Sequence, residues 1–390
     1  MSSTPINTKM TSMSLRSFLA KARAALAAPA SERSLPLTFV VGNESADIDS
    51  LCSAVVLAYL QTSSSSKLHI PLSNLPRPDL ALRTEMNAVL GAAQLQPSDL
   101  LTLSELPDNL RAEDTTWILV DHNALTGPLQ KRFAGRVSGC VDHHAEENVV
   151  PKDAVPRVIE PCGSCMSLVV EESKPVWQGL AQEEATKLAN LGLAAILTDT
   201  INLTAEHKIK PKDKTSAAFL AEKLRGTEYN QTRLFEDIGK LKEDLSELSL
   251  RDILRKDYKE WNENGLNLGI SSVPQGLAYL LDEKASGRVD GLCGALEEWA
   301  KEKGLDVVSI MTTSHPGGEF QRHLLVWARS ERGEQGLKKF VDAAEKNLQL
   351  EKFANGKLDQ GMTRLAWQQK NLAASRKQVA PLLREALQKG

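Results

Sequence analysis

Residues 142–144 read Asp-His-His and follow a run of apolar or small residues, Val137-Ser138-Gly139-Cys140-Val141. Carboxylate oxygens and imidazole nitrogens are ligands that proteins offer to divalent metals. A short buried strand ending at Val141 would bring the polar trio out at its carboxyl end. Adjacent histidines on extended backbone point to opposite sides. One could then ligate a metal while the other faces a substrate. The pair gains meaning from its company. Asp47 and Asp49 stand in a polar loop, Gly42 to Ser50, after one apolar run; Asp121 follows another; Asp199 ends a helical one. Carboxylates and an imidazole gathered at strand ends suit paired divalent cations, which activate water and neutralise phosphoryl oxygens. By itself the D-x-D spacing also reads as a helix cap, with Asp49 or Ser50 satisfying backbone amides.

These side chains need a scaffold that collects them. Leu35 to Val41 (LPLTFVV), Leu68 to Leu72, Trp117 to Val120 (WILV) and the run ending at Val141 read as buried strands, and Val155 to Ile159 as an edge strand. Between them come helical stretches over Leu51 to Leu60, Leu80 to Leu90, Gly163-Ser164 to Val170, and Glu183 to Asp199. Ser63 to Ser66 reads as a surface loop and Pro76 to Pro78 as a turn. Strands alternating with helices give an α/β, doubly wound parallel sheet, whose carboxyl edge is where ligands bind. Gly163-Ser164 opens a helix, so either its amides await an anion or Ser164 caps them. Asp199 closes a helix, where an acid opposes the macrodipole and calls for a compensating cation.

The chain has 390 residues, 42% of them hydrophobic and 25% charged, enough for two domains with real cores. A net charge of -3 excludes a general nucleic-acid coat. No apolar run approaches the roughly 18 to 20 residues that span a bilayer. Five cysteines, an odd number, suit a reducing compartment. Cys162-Gly163-Ser164-Cys165 has the redox C-x-x-C form but opens no thioredoxin-like unit, and no second ligand pair makes it a zinc site. No G-x-x-x-x-G-K-[ST] occurs, which leaves a P-loop NTPase unsupported. The first 31 residues hold Lys9, Arg16, Lys21 and Arg23 and no acid, as a transit peptide would. The alternative is an amphipathic helix with Leu15, Phe18, Leu19 and Leu26 on one face, ended by Pro29. The expected location is cytoplasmic, with the mitochondrial matrix as the alternative, and the expected state a monomer.

The expected division is a helical arm over 1–34, a metal-binding domain over 35–207, a charged helical connection over 208–248 broken at Gly226, and a second domain over 249–390. In the last, Arg251 to Trp261 leads to a turn at Asn262 to Gly265. Leu266 to Val273, Leu305 to Thr312 and Arg322 to Ala328 read as strands, and Gly276 to Ala285, Gly291 to Lys303 and Lys338 to Leu348 as helices. This is a smaller mixed α/β layer. The tail from Asn355 to Gly390 carries seven basic residues and two acids, a locally positive wall on an acidic chain.

The ordered set Asp47 and Asp49, Asp121, Asp142-His143-His144 and Asp199 resembles the motifs of the DHH phosphoesterase superfamily. Ser375-Arg376-Lys377-Gln378 and Lys256-Asp257-Tyr258-Lys259 resemble its DHHA2-type second domain, shared by manganese-dependent pyrophosphatases, prune-like proteins and fungal exopolyphosphatases. Gly42-Asn43-Glu44-Ser45-Ala46-Asp47, Leu80 to Arg83 (LALR) and Gly163-Ser164-Cys165 look most like the fungal exopolyphosphatases. The resemblance implies an active site in an interdomain cleft. It implies two divalent metal ions (Mg2+, Mn2+ or Co2+) on Asp47, Asp49, Asp121, His143 and Asp199. Asp121, His143 and His144 would be catalytic, with His144 on the substrate side. Lys259, Arg376, Lys377 and, more weakly, Arg322 would grip phosphates. The implied reaction is hydrolysis of the terminal anhydride of inorganic polyphosphate. A pyrophosphatase, a prune-like cyclic-nucleotide phosphodiesterase and an inactive polyphosphate-binding scaffold are the alternatives. Where family pyrophosphatases carry histidine this chain has Asn43, a weaker donor to a metal, which favours longer chains over pyrophosphate.

Overall fold

Both faces of a central strand in a parallel sheet are covered, so its sequence is apolar at successive positions rather than at alternate ones. Leu37–Val41 (β1) is buried at all five residues, and Thr115–Val120 (β3) at five of six. With His69–Leu72 (β2), Val137–Asp142 (β4) and Arg157–Ile159 (β5) they form one sheet of order β2-β1-β3-β4-β5, every pair parallel. These are coordinates of a computed structural model, which describes residues 13–65 and 67–389.

Strand parity sorts the core into two layers. Val40, Ile118, Val120 and Val141 meet the helices Ile48–Ser64 (α2), Cys165–Trp177 (α6) and Gln182–Asp199 (α7) on one face. Phe39, Val41, Trp117, Leu119 and Cys140 meet Gly127–Phe133 (α5) and the far half of Leu15–Ala27 (α1) on the other. Each fully buried leucine or phenylalanine contributes about 1.5 to 3 kcal/mol relative to exposure. The doubly wound expectation holds. The order reverses between β1 and β3; the loops after these two strands carry Asp47 and Asp121, and Asp49 follows in the first turn of α2. That reversal is where open α/β sheets bind ligands.

Several elements depart from the sequence reading. The expected helix from Leu80 to Leu90 is two, Arg77–Leu80 (α3) and Met86–Ala92 (α4). Between them Arg83 is buried and its guanidinium donates to the carbonyl of Ser45. The break thus braces the loop after β1. α2 runs on to Ser64, through part of the expected serine loop; Ser66 lies outside the described residues, as does Lys9 of the leader. α1 buries Leu15, Phe18, Leu19, Ala22 and Leu26, the face its sequence predicted. Pro211–Lys223 (α8) and Gln231–Glu243 (α9) come from the stretch expected as a connection. The chain divides at Leu241/Lys242, and α8 packs against α6 and α7 of the first unit.

The second unit opens with Leu250–Lys256 (α10). It holds a six-stranded mixed sheet. Its strands are Tyr258–Glu263 (β6), Leu266–Val273 (β7), Val307–Thr312 (β8), Arg322–Ala328 (β9), Leu350–Lys352 (β10) and Arg364–Gln369 (β11), in the order β10-β11-β9-β8-β7-β6. Only β7 and β8 pair in parallel. The Asn264-Gly265 turn between β6 and β7 has both residues at positive φ, 52° and 79°, the hairpin geometry this dipeptide favours. Leu277–Tyr279 (α11) passes into a π-helical turn, Leu280–Lys284, instead of one regular helix to Ala285. Val289–Lys303 (α12) covers one face of the sheet, and Glu331–Leu348 (α13) with Arg376–Gln388 (α14) the other. β6, β10 and β11 were not anticipated as strands. Among the described residues, no helix is long and apolar enough to cross a membrane.

Candidate active site

Asp121 stands one residue past β3 with φ 60°, a left-handed conformation that an L residue seldom adopts and aspartate tolerates better than most. Its amide donates to Val141 O at 3.1 Å and to Cys165 Sγ at 3.2 Å, which holds the bend against β4 and α6. The bend turns the carboxylate into the buried space beyond the strand ends. Asp121 Oδ2 accepts from Asn43 Nδ2 at 2.8 Å and from Ser50 Oγ at 2.6 Å. Oδ1 lies 3.1 Å from His143 Nε2 and 3.7 Å from His144 Nδ1.

The histidines correct one expectation. Their rings lie 4.5 Å apart at 88°, and both approach the same Asp121 oxygen instead of pointing to opposite sides. β4 ends at Asp142, so strand alternation has lapsed before His143 begins. His143 Nδ1 lies 3.0 Å from Cys162 O. A carbonyl only accepts, so Nδ1 carries a proton and, in the neutral ring, Nε2 is the acceptor nitrogen. That nitrogen faces a carboxylate oxygen at 3.1 Å. Two acceptors at that separation call for a proton or a cation, so the donor set fits a metal ion. His144 Nδ1 donates to Asp142 Oδ1 at 2.8 Å, and Asn123 Nδ2 holds the other Asp142 oxygen at 2.6 Å. Asp142 therefore fixes the tautomer of His144 and leaves its Nε2 on a partly exposed ring.

Two groups have their ligand atoms within 4.8 Å of one another: Asp121, His143 and His144, and Asp49, His143 and Asp199. Four of the five expected metal ligands thus converge, with His143 common to both groups. Asp47 falls in neither. It takes the helix-cap role at α2, with Oδ1 accepting from Ser50 N at 3.0 Å. Asp49 sits at the start of α6, accepting from Cys165 N at 2.7 Å, Met166 N and Ser164 Oγ at 3.0 Å, and Ser53 Oγ at 3.2 Å. The amides there are not open to an external anion, because the protein's own carboxylates occupy them. Asp199 ends α7, and its charge already has company: Lys208 Nζ donates to Asp199 O at 2.7 Å and lies 3.8 Å from Oδ2. Asn43 was expected as a weak metal donor. Its Oδ1 instead accepts from Ser45 N, and its Nδ2 donates to both the carbonyl and the carboxylate of Asp121.

Burial, then the charges of Asp121 and Asp199, push the Asp49 carboxyl well above its ordinary range. Burial would raise Asp121 as well, but the His143 hydrogen bond, the charges of both histidines and the Ser50 hydroxyl outweigh it and hold that carboxyl low. Asp142 is also held low: against burial act the hydrogen bond and charge of His144 and the Asn123 amide. Cys162 is pushed up to about 12 by burial and by Asp213, and burial raises Cys165 further. All five cysteines are free thiols. Cys162 Sγ donates to Asp213 and Cys165 Sγ to Val141 O, so the C-x-x-C pair serves as hydrogen-bonding groups.

In the second unit the four expected phosphate-binding cations gather at one end of the sheet. Lys259 pairs with Ile270, and Arg322 lies two residues before Leu324; both positions fall on the face covered by α13 and α14. β11 ends opposite Arg322, and the chain turns there into α14, whose first residues are Arg376 and Lys377. Arg322 Nε donates to Leu372 O in that turn at 2.8 Å. Arg376 Nη1 lies 2.9 Å from Asp257 Oδ1, two residues before Lys259. Lys377 is exposed. Ser375 caps the helix with Gln378 in a capping box, the local signal that set its start.

Residues 38–196 match the N-terminal domain of the DHH family, and residues 236–386 match the DHHA2 domain. A Schizosaccharomyces pombe protein provisionally named exopolyphosphatase is 33% identical over 90% of this chain and 91% of its own length. The chain belongs to the DHH family. A human member named exopolyphosphatase PRUNE1 is 27% identical to this DHH protein over 96% of the chain and 79% of its own length. A crystal structure from Methanococcus jannaschii, provisionally named a family II inorganic pyrophosphatase, superposes on the DHH protein with a TM-score of 0.60 at 22% identity, over 91% of this chain and 100% of that one. That likeness is one of fold: a parallel sheet followed by a mixed one.

Sequence reasoning passed over several groups that build this DHH site. Ser50, Asn123, Cys165, Lys208 and Asp213 each hold a site residue or the turn beneath one. Ser50 had a signal in its place beside the D-x-D pair and Lys208 in following Asp199 by nine residues; Asn123, Cys165 and Asp213 lie 19 to 50 residues from their partners.

Proposed function

We propose that this DHH protein is an exopolyphosphatase, which hydrolyses the terminal phosphoanhydride of inorganic polyphosphate and releases orthophosphate. The observation that carries the reading is the convergence of Asp49, Asp121 and Asp199 on His143. Asp47, Asp49, Asp121, His143 and Asp199 would hold two divalent ions, Mg2+, Mn2+ or Co2+, with Asp47 using the oxygen it does not spend on Ser50. Such ions supply an activated water and neutralise phosphoryl oxygens. Asn43 and Ser50 fix the Asp121 carboxylate by one oxygen, so the other needs no reorganisation during reaction. His144, held by Asp142 at Nδ1, presents Nε2 to the leaving oxygen and, as the imidazolium that Asp142 stabilises, can pass it a proton. Arg376 grips a phosphate with its planar fork; Lys259 and Lys377 act as point charges, and Arg322 adds a further donor.

The names of the S. pombe and human relatives favour polyphosphate over pyrophosphate. So does Asn43, which spends its amide on Asp121 where pyrophosphatases of the family carry an imidazole. The test is a panel of long polyphosphate, tripolyphosphate, pyrophosphate and cyclic AMP, each with Mg2+, Mn2+ and Co2+. Turnover fastest on the longer chains is expected. Preference for pyrophosphate would make the protein a pyrophosphatase, and no metal-dependent phosphate release would leave a binding scaffold.

A further inference from the structure

Asp213 lies in the first turn of α8, within the stretch whose sequence looked like a connection, and is fully buried. It is not a candidate ligand, yet it holds five donors. Oδ1 accepts from Ser164 N at 3.2 Å, Cys162 Sγ at 3.2 Å and Ser167 Oγ at 2.6 Å. Oδ2 accepts from Gly163 N at 2.8 Å and Lys210 N at 2.7 Å. Four of the five belong to residues 162–167, the turn into α6 and its first residues. That turn carries Cys162 O, the acceptor that keeps the His143 proton on Nδ1. Two carboxylates therefore divide the amides at the start of α6: Gly163 and Ser164 go to Asp213, Cys165 and Met166 to Asp49. The fit is close. A Cβ at Gly163 would come within 2.7 Å of Asp213 Oδ2 and 2.7 Å of Thr200 Cγ2.

We infer that Asp213 is a positioning residue for the metal centre: by anchoring the 162–164 turn it sets the tautomer and orientation of His143 and keeps Asp49 on its own pair of amides. Without the Asp213 carboxylate, the two buried amides of Gly163 and Ser164 lose their acceptor, a penalty that moves the turn before it leaves them unpaired. Asp49, which already holds Ser164 Oγ and the next two amides, is drawn on by the displaced turn, and Cys162 O shifts with it. Groups hydrogen-bonded directly to metal-bound histidines typically change metal affinity by about 10- to 100-fold when lost, and Asp213 governs such a group, Cys162 O.

This inference rests on the metal-centre part of the proposed function, so its test reads the centre without polyphosphate. Mn2+ alone is titrated into wild type, Asp213→Asn, Gly163→Ala and Glu184→Ala, followed by electron paramagnetic resonance. Histidine tautomers are read in the cation-free proteins by long-range nitrogen–proton correlation spectra. Gly163→Ala keeps every hydrogen-bonding group and only displaces the turn, so it serves if Asp213→Asn does not fold. Glu184 is a buried carboxylate of the same unit that accepts Leu15 N at 2.6 Å, far along the chain from the turn; its loss should destabilise without touching the centre. The expected result is Mn2+ affinity lowered at least about tenfold in Asp213→Asn and Gly163→Ala, with the His143 Nδ1–H signal weakened or lost, and both unchanged in Glu184→Ala. Wild-type affinity and tautomer in the folded Asp213→Asn or Gly163→Ala protein would overturn the inference, as would an equal loss in Glu184→Ala. If wild type bound no Mn2+, the metal-centre reading would fail, while the tautomer spectra would still decide whether Asp213 controls His143.

Discussion

The two units treat charge in opposite ways. In the first, Asp49 and Asp121 are buried and tied by several short hydrogen bonds each: Asp49 by four donors, Asp121 by Asn43 and Ser50 on one oxygen alone. In the second, the cations at the sheet end are long and at least partly exposed, with Arg376 against Asp257 and Arg322 against Leu372 O and the Phe320 ring. Buried carboxylates fixed in advance make a site of set geometry that pays for its charge with a cation. Exposed arginines and lysines suit a substrate whose phosphates vary in number. The contrast places rigidity where bonds would break and adaptability where a chain would lie.

The sharpest break of that contrast is Asp121→Ala. If the buried acids set the chemistry, kcat on polyphosphate should fall by about three orders of magnitude or more. Near-normal turnover with cation still bound would refute the role. Arg376→Ala comes next and should act on the adaptable side: kcat/KM lower by about 10- to 100-fold, as expected for lost hydrogen bonds to a charged group, mostly through KM. An unchanged kcat/KM would take Arg376 out of substrate binding. Asn43→His exchanges the amide that holds Asp121 for an imidazole, and should raise pyrophosphate turnover relative to polyphosphate by about tenfold. A constant ratio would show that Asn43 does not select chain length.

The smallest effect concerns pH. Asp49 is raised in the folded chain, so folding holds its proton more tightly than the unfolded chain does. The cation-free protein keeps that stabilisation below the ordinary carboxylate range and loses it as pH rises through the raised Asp49 range. Asp121, held low, runs the other way: its contribution is present above the ordinary range and is lost only in strong acid. If Asp49 ligates the cation, it must be ionised to do so. The rise in Tm given by Mn2+ should then grow as pH rises through the raised Asp49 range, while that of Asp49→Asn should be smaller and depend less on pH. A rise independent of pH in the wild type would separate Asp49 from the cation.

The same contrast explains what the sequence disclosed. The parallel sheet was legible because both faces of its strands are buried, which leaves continuous apolar runs such as WILV. The acids were legible because each follows such a run. β6 (Tyr-Lys-Glu-Trp-Asn-Glu) was not, because an edge strand with an open face can carry more polar than apolar side chains. β10 is three residues long, too short for any period to show. The Leu80 to Leu90 stretch has helical periodicity throughout; what divides it is a tertiary hydrogen bond from Arg83 to Ser45, which no local pattern encodes. The helpers of the acids stayed hidden for the same reason. Asp213 meets Gly163 across 50 residues, and Ser164 meets Asp49 across 115.

The left-handed bend at Asp121 has a further consequence. Glycine would make that bend at no steric cost, whereas alanine would strain against it. Asp121→Gly and Asp121→Ala delete the same carboxylate, yet the glycine protein should melt at the higher temperature of the two. The fold, judged by durability alone, would welcome a smaller residue at the one place where its chemistry demands an acid.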